Sequence, residues 1–263
     1  MKVIVITGST RGIGYGMAQA FLASGCAVGV SGRSTAAVDH AVAGLTAPAG
    51  AERVFGLACD VRQPAQVQAL WDAARAQFGH IDIWINNAGL AHPITEFKDF
   101  SADTIQSVLE TNIAGMLYGS IVALKGFTKQ NGGAIYTMLG LGSNGRQVAR
   151  MALYGASKSA VAYLNRALVS ETRGGPVLVG ALMPGMVTTD LLTQQRNHDP
   201  QQWEKAKRVF NILADRVETV APWLAQRVLE NHKHGAIISW TNPAKIGWRF
   251  LTAPFIHRRV IDD

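Results

Sequence analysis

Charge is scarce in this chain, and so are cysteine, basic runs and long apolar stretches. No run approaches the roughly 18 apolar residues of a membrane span. One of the longer runs, 177–183 (Val-Leu-Val-Gly-Ala-Leu-Met), has the length of a buried strand. The chain enters an apolar strand at once (Lys2-Val-Ile-Val-Ile6), so no secretory leader is expected. Cys26 and Cys59 are the only cysteines, which reads as two free core thiols in a reducing cytoplasm rather than a disulfide framework. Charged residues make up 16% and apolar residues 48%, a globular rather than a disordered composition. The net charge is +7, of which +4 falls in residues 196–263, where eleven Lys/Arg meet seven Asp/Glu. Without a basic run this charge does not point to nucleic acid, and an anionic cofactor or substrate is a sufficient partner. His198 is isolated and reads as solvated. His232 and His234 flank Lys233 with no carboxylate or cysteine nearby, so no metal site is expected. No repeat, low-complexity segment or linker divides the 263 residues, which predicts a single domain over 1–263.

What is present is alternation. Short apolar strands near 2–6, 27–31, 52–58, 82–85, 133–138, 177–182 and 236–239 are interleaved with helical stretches near 13–24, 35–46, 64–78, 103–128, 152–172 and 218–230. This order predicts an α/β fold, a parallel sheet covered by helices on both faces.

Motifs sit where that sheet would carry a site. The first strand runs into Thr7-Gly8-Ser9-Thr10-Arg11-Gly12-Ile13-Gly14 and then a helix. Glycines at such a turn let the backbone approach a pyrophosphate, which the helix N-terminus attracts. The second strand ends in Ser31-Gly32-Arg33-Ser34. An acid there would bind the ribose hydroxyls of NAD and repel a 2′-phosphate. With Gly32 in that place, and Arg33 and Arg11 as two guanidinium groups in reach, the cofactor expected is NADPH/NADP+. Asp60-Val61 closes the third strand, where a carboxylate can accept from an adenine amino group. Asn86-Asn87-Ala88-Gly89 closes the fourth and leaves room for a ribose. Asn112 interrupts a long helical stretch, an unfavourable place for a buried amide unless it has work to do. Tyr154 and Lys158, four apart on a helix, share a face. A neighbouring ammonium favours phenolate, so the tyrosine is expected to have a lowered pKa and to exchange a proton with a carbonyl oxygen near neutral pH.

Taken in order over about residues 1–190, the Thr7–Gly14 loop, Asp60, Asn86–Gly89, Asn112, Tyr154, Lys158 and Pro184-Gly185 with Thr188 resemble the short-chain dehydrogenase/reductase family. The resemblance implies a three-layer α/β/α Rossmann-type doubly wound sheet with seven parallel strands ordered 3-2-1-4-5-6-7. It implies Tyr154 as general acid/base, Lys158 on the nicotinamide ribose lowering the tyrosine's pKa, and Asn112 holding a water that relays protons to Lys158. Implied cofactor contacts are Gly8, Ser9, Thr10, Arg11, Gly12, Ile13, Gly14, Arg33, Ser34, Asp60, Val61, Asn87, Ala88, Gly89, Tyr154, Lys158, Pro184, Gly185, Val187 and Thr188, the last touching the nicotinamide carboxamide. Homo-oligomerisation through the helices near 103–128 and 152–172, as a dimer or tetramer, is implied as well.

One position departs from the family pattern. About 13 residues before the tyrosine the family has a serine that hydrogen-bonds the substrate carbonyl; here that count lands on Leu141. The nearest hydroxyl is Ser143, which either takes the role or is a solvated loop serine. The surrounding Met138-x-Gly140-x-Gly142-Ser143-x-Gly145-Arg146, together with Pro184–Leu192 and Phe210–Ala214, is similar to the chlorophyll(ide) b reductase branch. That similarity implies NADPH-dependent reduction of a 7-formyl group, although Leu139 stands where the branch is expected to have an acid. Another bulky apolar carbonyl (steroid, quinone or acyl) is the alternative substrate, and a non-catalytic NADP-binding regulatory protein is the alternative class. Residues 190–217 read either as an amphipathic lid over an apolar ligand or as a helix on the domain edge. The basic and aromatic stretch within 240–263 suits a subunit contact or pocket mouth better than a membrane surface, because Pro243 and Pro254 interrupt it.

Overall fold

A computed structural model describes residues 1–190, 207, 209–253, 255 and 258–261. Leu191, Leu192, His198, Trp203, Pro254 and Ile256, with most of the expected lid, lie outside the described residues. β1 (Val3–Ile6) is buried at all four positions, because a central parallel strand has helices on both sides. Its alternation divides the core. Ile4 and Ile6 face a layer with Met17, Phe21, Val28 and Leu224, while Val3 and Val5 face one with Trp71, Trp84, Phe127 and Ile135. The second layer is aromatic: Trp71 stands edge-on to Phe127 at 5.0 Å and tilted to Trp84 at 5.9 Å, each pair adding about 0.5–1.5 kcal/mol beyond its burial.

The chain then alternates as expected: α1 (Gly12–Ala23), β2 (Ala27–Gly32), α2 (Thr35–Ala49), β3 (Val54–Ala58), α3 (Pro64–Phe78) and β4 (Ile83–Asn86). α4 (Ala102–Leu109) and α5 (Gly115–Gln130) follow, then β5 (Gly133–Met138), α6 (Ala152–Glu171) and β6 (Val177–Met183). A short pair, β7 (Val187–Thr188) and β8 (Asp215–Arg216), precedes α7 (Val217–Glu230), β9 (Ile237–Ser239) and α8 (Pro243–Thr252). Seven parallel strands are ordered β3-β2-β1-β4-β5-β6-β9, the doubly wound sheet implied by the sequence, with β9 as its seventh strand.

The expected single helix over 103–128 is corrected in one respect. α4 and α5 are joined by a π-helical turn, Glu110–Ala114, which holds Asn112; such single-turn bulges are frequent at functional sites. The whole run Ala102–Gln130 is long and apolar enough to cross a membrane by length and composition, but half of its most apolar window is buried in this domain.

The C-terminal stretch contains α8, and three of its cations, Lys245, Arg249 and Arg258, turn inward while Arg259 is exposed. Lys245 Nζ lies 3.4 Å over the Trp240 ring, and Arg249 and Arg258 both reach Asp215. The outward side of this stretch carries the exposed Trp248, Leu251 and Phe255.

Candidate active site

In a doubly wound sheet a ligand crevice opens at the carboxyl ends of the strands, where the winding reverses between β1 and β4. The glycine loop lies there, held from within. Ser9 Oγ donates to the Ile6 carbonyl at 2.6 Å and accepts from the Ser31 amide at 3.0 Å. Asn87 Nδ2 donates to the carbonyls of Thr7 (2.9 Å) and Gly8 (2.8 Å), and the Asn87 and Ala88 amides both donate to Thr7 Oγ1 at 3.1 Å. The side chains of Ser9 and Asn87 therefore shape the loop. Two glycines make the approach possible: a Cβ on Gly8 would lie 2.7 Å from Ala88 Cα, and one on Gly14 would lie 2.5 Å from Asn87 Nδ2. Arg11 stands at the N-cap of α1 and makes no side-chain cap bond, which leaves first-turn N–H groups available to an anion. This donor set fits the pyrophosphate of a dinucleotide.

The specificity end differs in detail from expectation. A Cβ on Gly32 would lie 2.7 Å from Thr10 Cγ2, which leaves no place for an acidic side chain. Arg33 is exposed and makes no ion pair among the described residues. Arg11 pairs with Asp190 at 3.0 Å, both ends exposed. Ser34 caps α2, accepting from the Ala37 amide at 3.4 Å. Asp60 is gripped by Arg62, with Nη2 at 2.6 Å from Oδ2 and the Arg62 amide at 3.0 Å from Oδ1. Arg62 holds its carboxyl below the usual range. Val61 is buried; a Cβ on Gly115, just after the π turn, would lie 2.6 Å from Val61 Cγ2.

At the reacting end Tyr154, Ser157 and Lys158 form the buried face of α6. Ser157 Oγ donates to the Tyr154 carbonyl at 2.7 Å and accepts from Asn112 Nδ2 at 2.9 Å. The Asn112 amide also clasps Leu90, accepting from its N–H at 2.7 Å and donating to its carbonyl at 2.9 Å. Lys158 Nζ donates to the Met138 carbonyl at 3.0 Å. A Cβ on Gly89 would sit 3.4 Å from Asn112 Oδ1 and 3.6 Å from Lys158 Nζ, so Gly89 keeps a gap between those two polar groups. The expected lowering of the tyrosine's pKa is overturned: burial pushes Tyr154 up to about 12 and Lys158 down to about 8. Both groups lose water, while the ammonium, 5.9 Å from the ring centroid, is turned to a carbonyl rather than to the hydroxyl.

The position that faces the tyrosine hydroxyl is Gly140, not Leu141. A Cβ on Gly140 would lie 2.7 Å from Tyr154 Oη, whereas Leu141 is 39% exposed. Counting back from the tyrosine failed because the 139–151 connection is one residue longer than the assumed spacing. Ser143 does not point into the gap. Its hydroxyl accepts from the Gly140 amide at 3.0 Å and donates to the Lys158 carbonyl at 3.2 Å. Gly142, at φ +95° and with a hypothetical Cβ 2.5 Å from the Gly155 carbonyl oxygen, lets the loop lie directly on α6.

His92 was not anticipated. It is 2% exposed, and its Nε2 accepts from the Tyr154 amide at 3.2 Å while Nδ1 lies 2.6 Å from the Pro93 carbonyl. It satisfies one first-turn N–H of α6, whose start lacks a side-chain cap. The only sequence signal was that such an orphan N–H needs a partner.

On the other side of the crevice Thr188 Oγ1 donates to the Asp215 carbonyl at 3.4 Å, and Gly185, at φ +73°, packs its turn against Thr241.

The sequence profile of the short chain dehydrogenase family matches residues 2–200. Chlorophyll(ide) b reductase NOL, chloroplastic, of Oryza sativa subsp. japonica is 39% identical over 230 residues, covering 86% of this chain and 66% of that protein. Probable chlorophyll(ide) b reductase NYC1, chloroplastic, of the same organism is 33% identical over 276 residues, covering 99% of this chain and 54% of that protein. The chain thus spans between about half and two thirds of the length of these relatives. An actinorhodin polyketide ketoreductase solved with NADPH superposes with a TM-score of 0.81 at 26% identity, over 91% of this chain and 95% of that one.

Proposed function

The chain belongs to the short-chain dehydrogenase family, and from that premise we propose that it is an NADPH-dependent carbonyl reductase acting on a bulky apolar aldehyde or ketone, with the 7-formyl group of a chlorophyll b-type tetrapyrrole as its substrate. The observation that carries this reading is the buried Tyr154–Ser157–Lys158 face of α6, closed by Asn112 and facing a glycine at position 140. A nicotinamide held in this crevice would supply a hydride to the carbonyl carbon, and the proton chemistry falls to the chain's own side chains. Tyr154, a phenol throughout the neutral range, donates its proton to the carbonyl oxygen, so that an aldehyde becomes a primary alcohol. The ammonium of Lys158 returns a proton to the phenolate, and a water held at Asn112 relays one to Lys158 in turn. Arg33, together with Arg11 where it is not held by Asp190, favours a 2′-phosphate, since Gly32 puts no carboxylate at the end of β2. The two buried free thiols suit a reducing compartment such as the cytoplasm. Exposed apolar residues on α4, α5 and α6 suit a homo-oligomer.

The test follows NADPH absorbance with chlorophyllide b or pheophorbide b as substrate and NADH as control. Turnover with NADPH alone is expected, with loss of about 10²–10⁴-fold in Tyr154→Phe. NADPH binding without turnover of any of these or of steroid, quinone and acyl carbonyls would favour a non-catalytic NADP-binding protein. Unchanged turnover in Tyr154→Phe would remove the mechanism.

A further inference from the structure

Thr188 and Asp215, far apart in sequence, meet beside the crevice. β7 and β8 form a two-residue parallel pair, with Val187 opposite Asp215 and Thr188 opposite Arg216. The Asp215 amide donates to the Met186 carbonyl at 3.0 Å. Thr188 and Asp215 are therefore pinned to one point, beside the turn that carries Pro184 and Gly185. So short a ladder does not hold itself.

Its support is the Asp215 carboxylate, which the C-terminal stretch grips from three directions. Arg249 Nη2 lies 2.8 Å from both carboxylate oxygens, Arg258 Nη2 lies 2.7 Å from Oδ1, and Trp240 Nε1 donates to Oδ2 at 2.6 Å. The same two guanidinium groups satisfy the carbonyls just before it: Arg249 donates to Leu213 at 2.8 Å, and Arg258 donates to Ala214 at 3.0 Å and to Ile212 at 2.6 Å. Asn211 Oδ1 accepts from the Val260 and Ile261 amides at 2.9 and 3.0 Å. The Asp215 side chain is 7% exposed and that of Arg249 12%, so neither charge has water to fall back on if its partner is removed. The Trp240 amide also donates to the Met183 carbonyl at 3.0 Å, tying the same assembly to the end of β6.

We propose that Asp215 is a positioning residue: held by Arg249, Arg258 and Trp240, it fixes the β7–β8 pair and thereby sets how tightly Thr188 holds the nicotinamide end of the cofactor. The inference rests on the cofactor reading given above. It assigns Trp240, Arg249 and Arg258 of the C-terminal stretch to the cofactor site from behind, where neither a membrane nor a second subunit is needed to explain those two cations.

The experiment separates the two ends of the cofactor. Affinities of the purified full chain are measured for NADP+ and for 2′-phospho-ADP-ribose, which lacks the nicotinamide, with NAD+ and ADP-ribose as a parallel pair. The ratio within a pair reports nicotinamide-end contacts alone. Asp215→Asn is expected to weaken NADP+ binding by about tenfold and to leave 2′-phospho-ADP-ribose unchanged. Arg258→Gln, which keeps the Arg249 pair and covers the case that Asp215→Asn does not fold, is expected to do the same to a smaller degree. A ratio unchanged in a folded variant, or equal weakening of both ligands, overturns the proposal. A wild-type chain that binds neither pair overturns the cofactor reading and the proposal with it. Discrimination by NAD+ and ADP-ribose with no response to the 2′-phosphate overturns only the NADPH preference, and the same ratio within that pair then tests Asp215.

Discussion

At position 140 the absence of a side chain is what the reacting centre is built around. A Cβ there would meet Tyr154 Oη at 2.7 Å and Lys158 Cγ at 3.3 Å, so the tyrosine occupies space that a serine side chain would need. Restoring the family's serine is therefore expected to harm the enzyme: Gly140→Ser displaces the phenol, and a misplacement near 1 Å costs about 10²-fold in turnover. A gain in kcat for that variant would mean that the carbonyl is short of a donor. Lys158 gives a prediction of a different kind. Its folded pKa, about 8, lies below the ordinary value of 10.5, so the fold disfavours the ammonium. Below about pH 8 both folded and unfolded chains carry the proton and the full cost is present. Between about 8 and 10.5 the folded chain has lost its proton while the unfolded chain retains it, and stability attributable to this group rises with pH. Lys158→Met is thus expected to be more stable than wild type at pH 7, by up to about 3 kcal/mol, with the gap closing toward pH 10.5. Denaturant midpoints across that range read it directly, and a gap that does not vary with pH would show that Lys158 is not desolvated. These residues were legible in the sequence as identities, from Tyr154 and Lys158 at helical spacing. Their electrostatics were not, because a sequence shows the neighbouring charge but not the loss of water around both groups.

Among the elements, the glycine-rich connection between β5 and α6 shows how far a pattern carries. Its composition announced a loop at the site, yet counting residues could not show that Gly142 lies on the Gly155 backbone or that Ser143 turns toward Lys158. The assignment of Ser143 is open to a clean test. As a loop brace with two backbone bonds, it should cost about 1 kcal/mol of stability on Ser143→Ala and leave kcat within a few-fold. As the polarising donor it would cost about 10²–10³ in kcat with little change in stability. The first outcome is expected, read by thermal unfolding beside initial rates. The parallel, helix-covered sheet was legible from the alternation of apolar strands and helical stretches, while its strand order came only through the family resemblance. The π turn at Asn112 was visible only as an anomaly, a polar residue in the middle of a helix. Its physical reason is three-dimensional: the widened turn places one amide between Leu90 and Ser157. The α8 clasp was not legible for a related reason, since cations among aromatics in sequence look alike whether they face outward or close on a buried Asp215.

For the whole molecule, the apolar surface left uncovered is unevenly distributed. Ile105 and Leu109 on α4 (each 37% exposed), Ile121 on α5 (46%) and Tyr163 on α6 (67%) lie on helices that flank the catalytic face rather than on the crevice. α6 is also the helix whose opposite face buries Tyr154 and Lys158, so a partner seated on Tyr163 would stiffen the element that carries the chemistry. A stable pair of subunits needs about 800 Å² from each, which two long helices can supply. Light scattering at micromolar concentration is expected to give a dimer or tetramer, and Ile121→Glu with Tyr163→Glu is expected to yield a monomer, because two carboxylates cannot be desolvated there without partners. If that monomer keeps full turnover, association serves stability alone; if turnover falls while NADPH affinity holds, the contact supports the placement of Tyr154. Wild type that runs as a monomer would refute the oligomer and leave the exposed face of these helices without its expected partner.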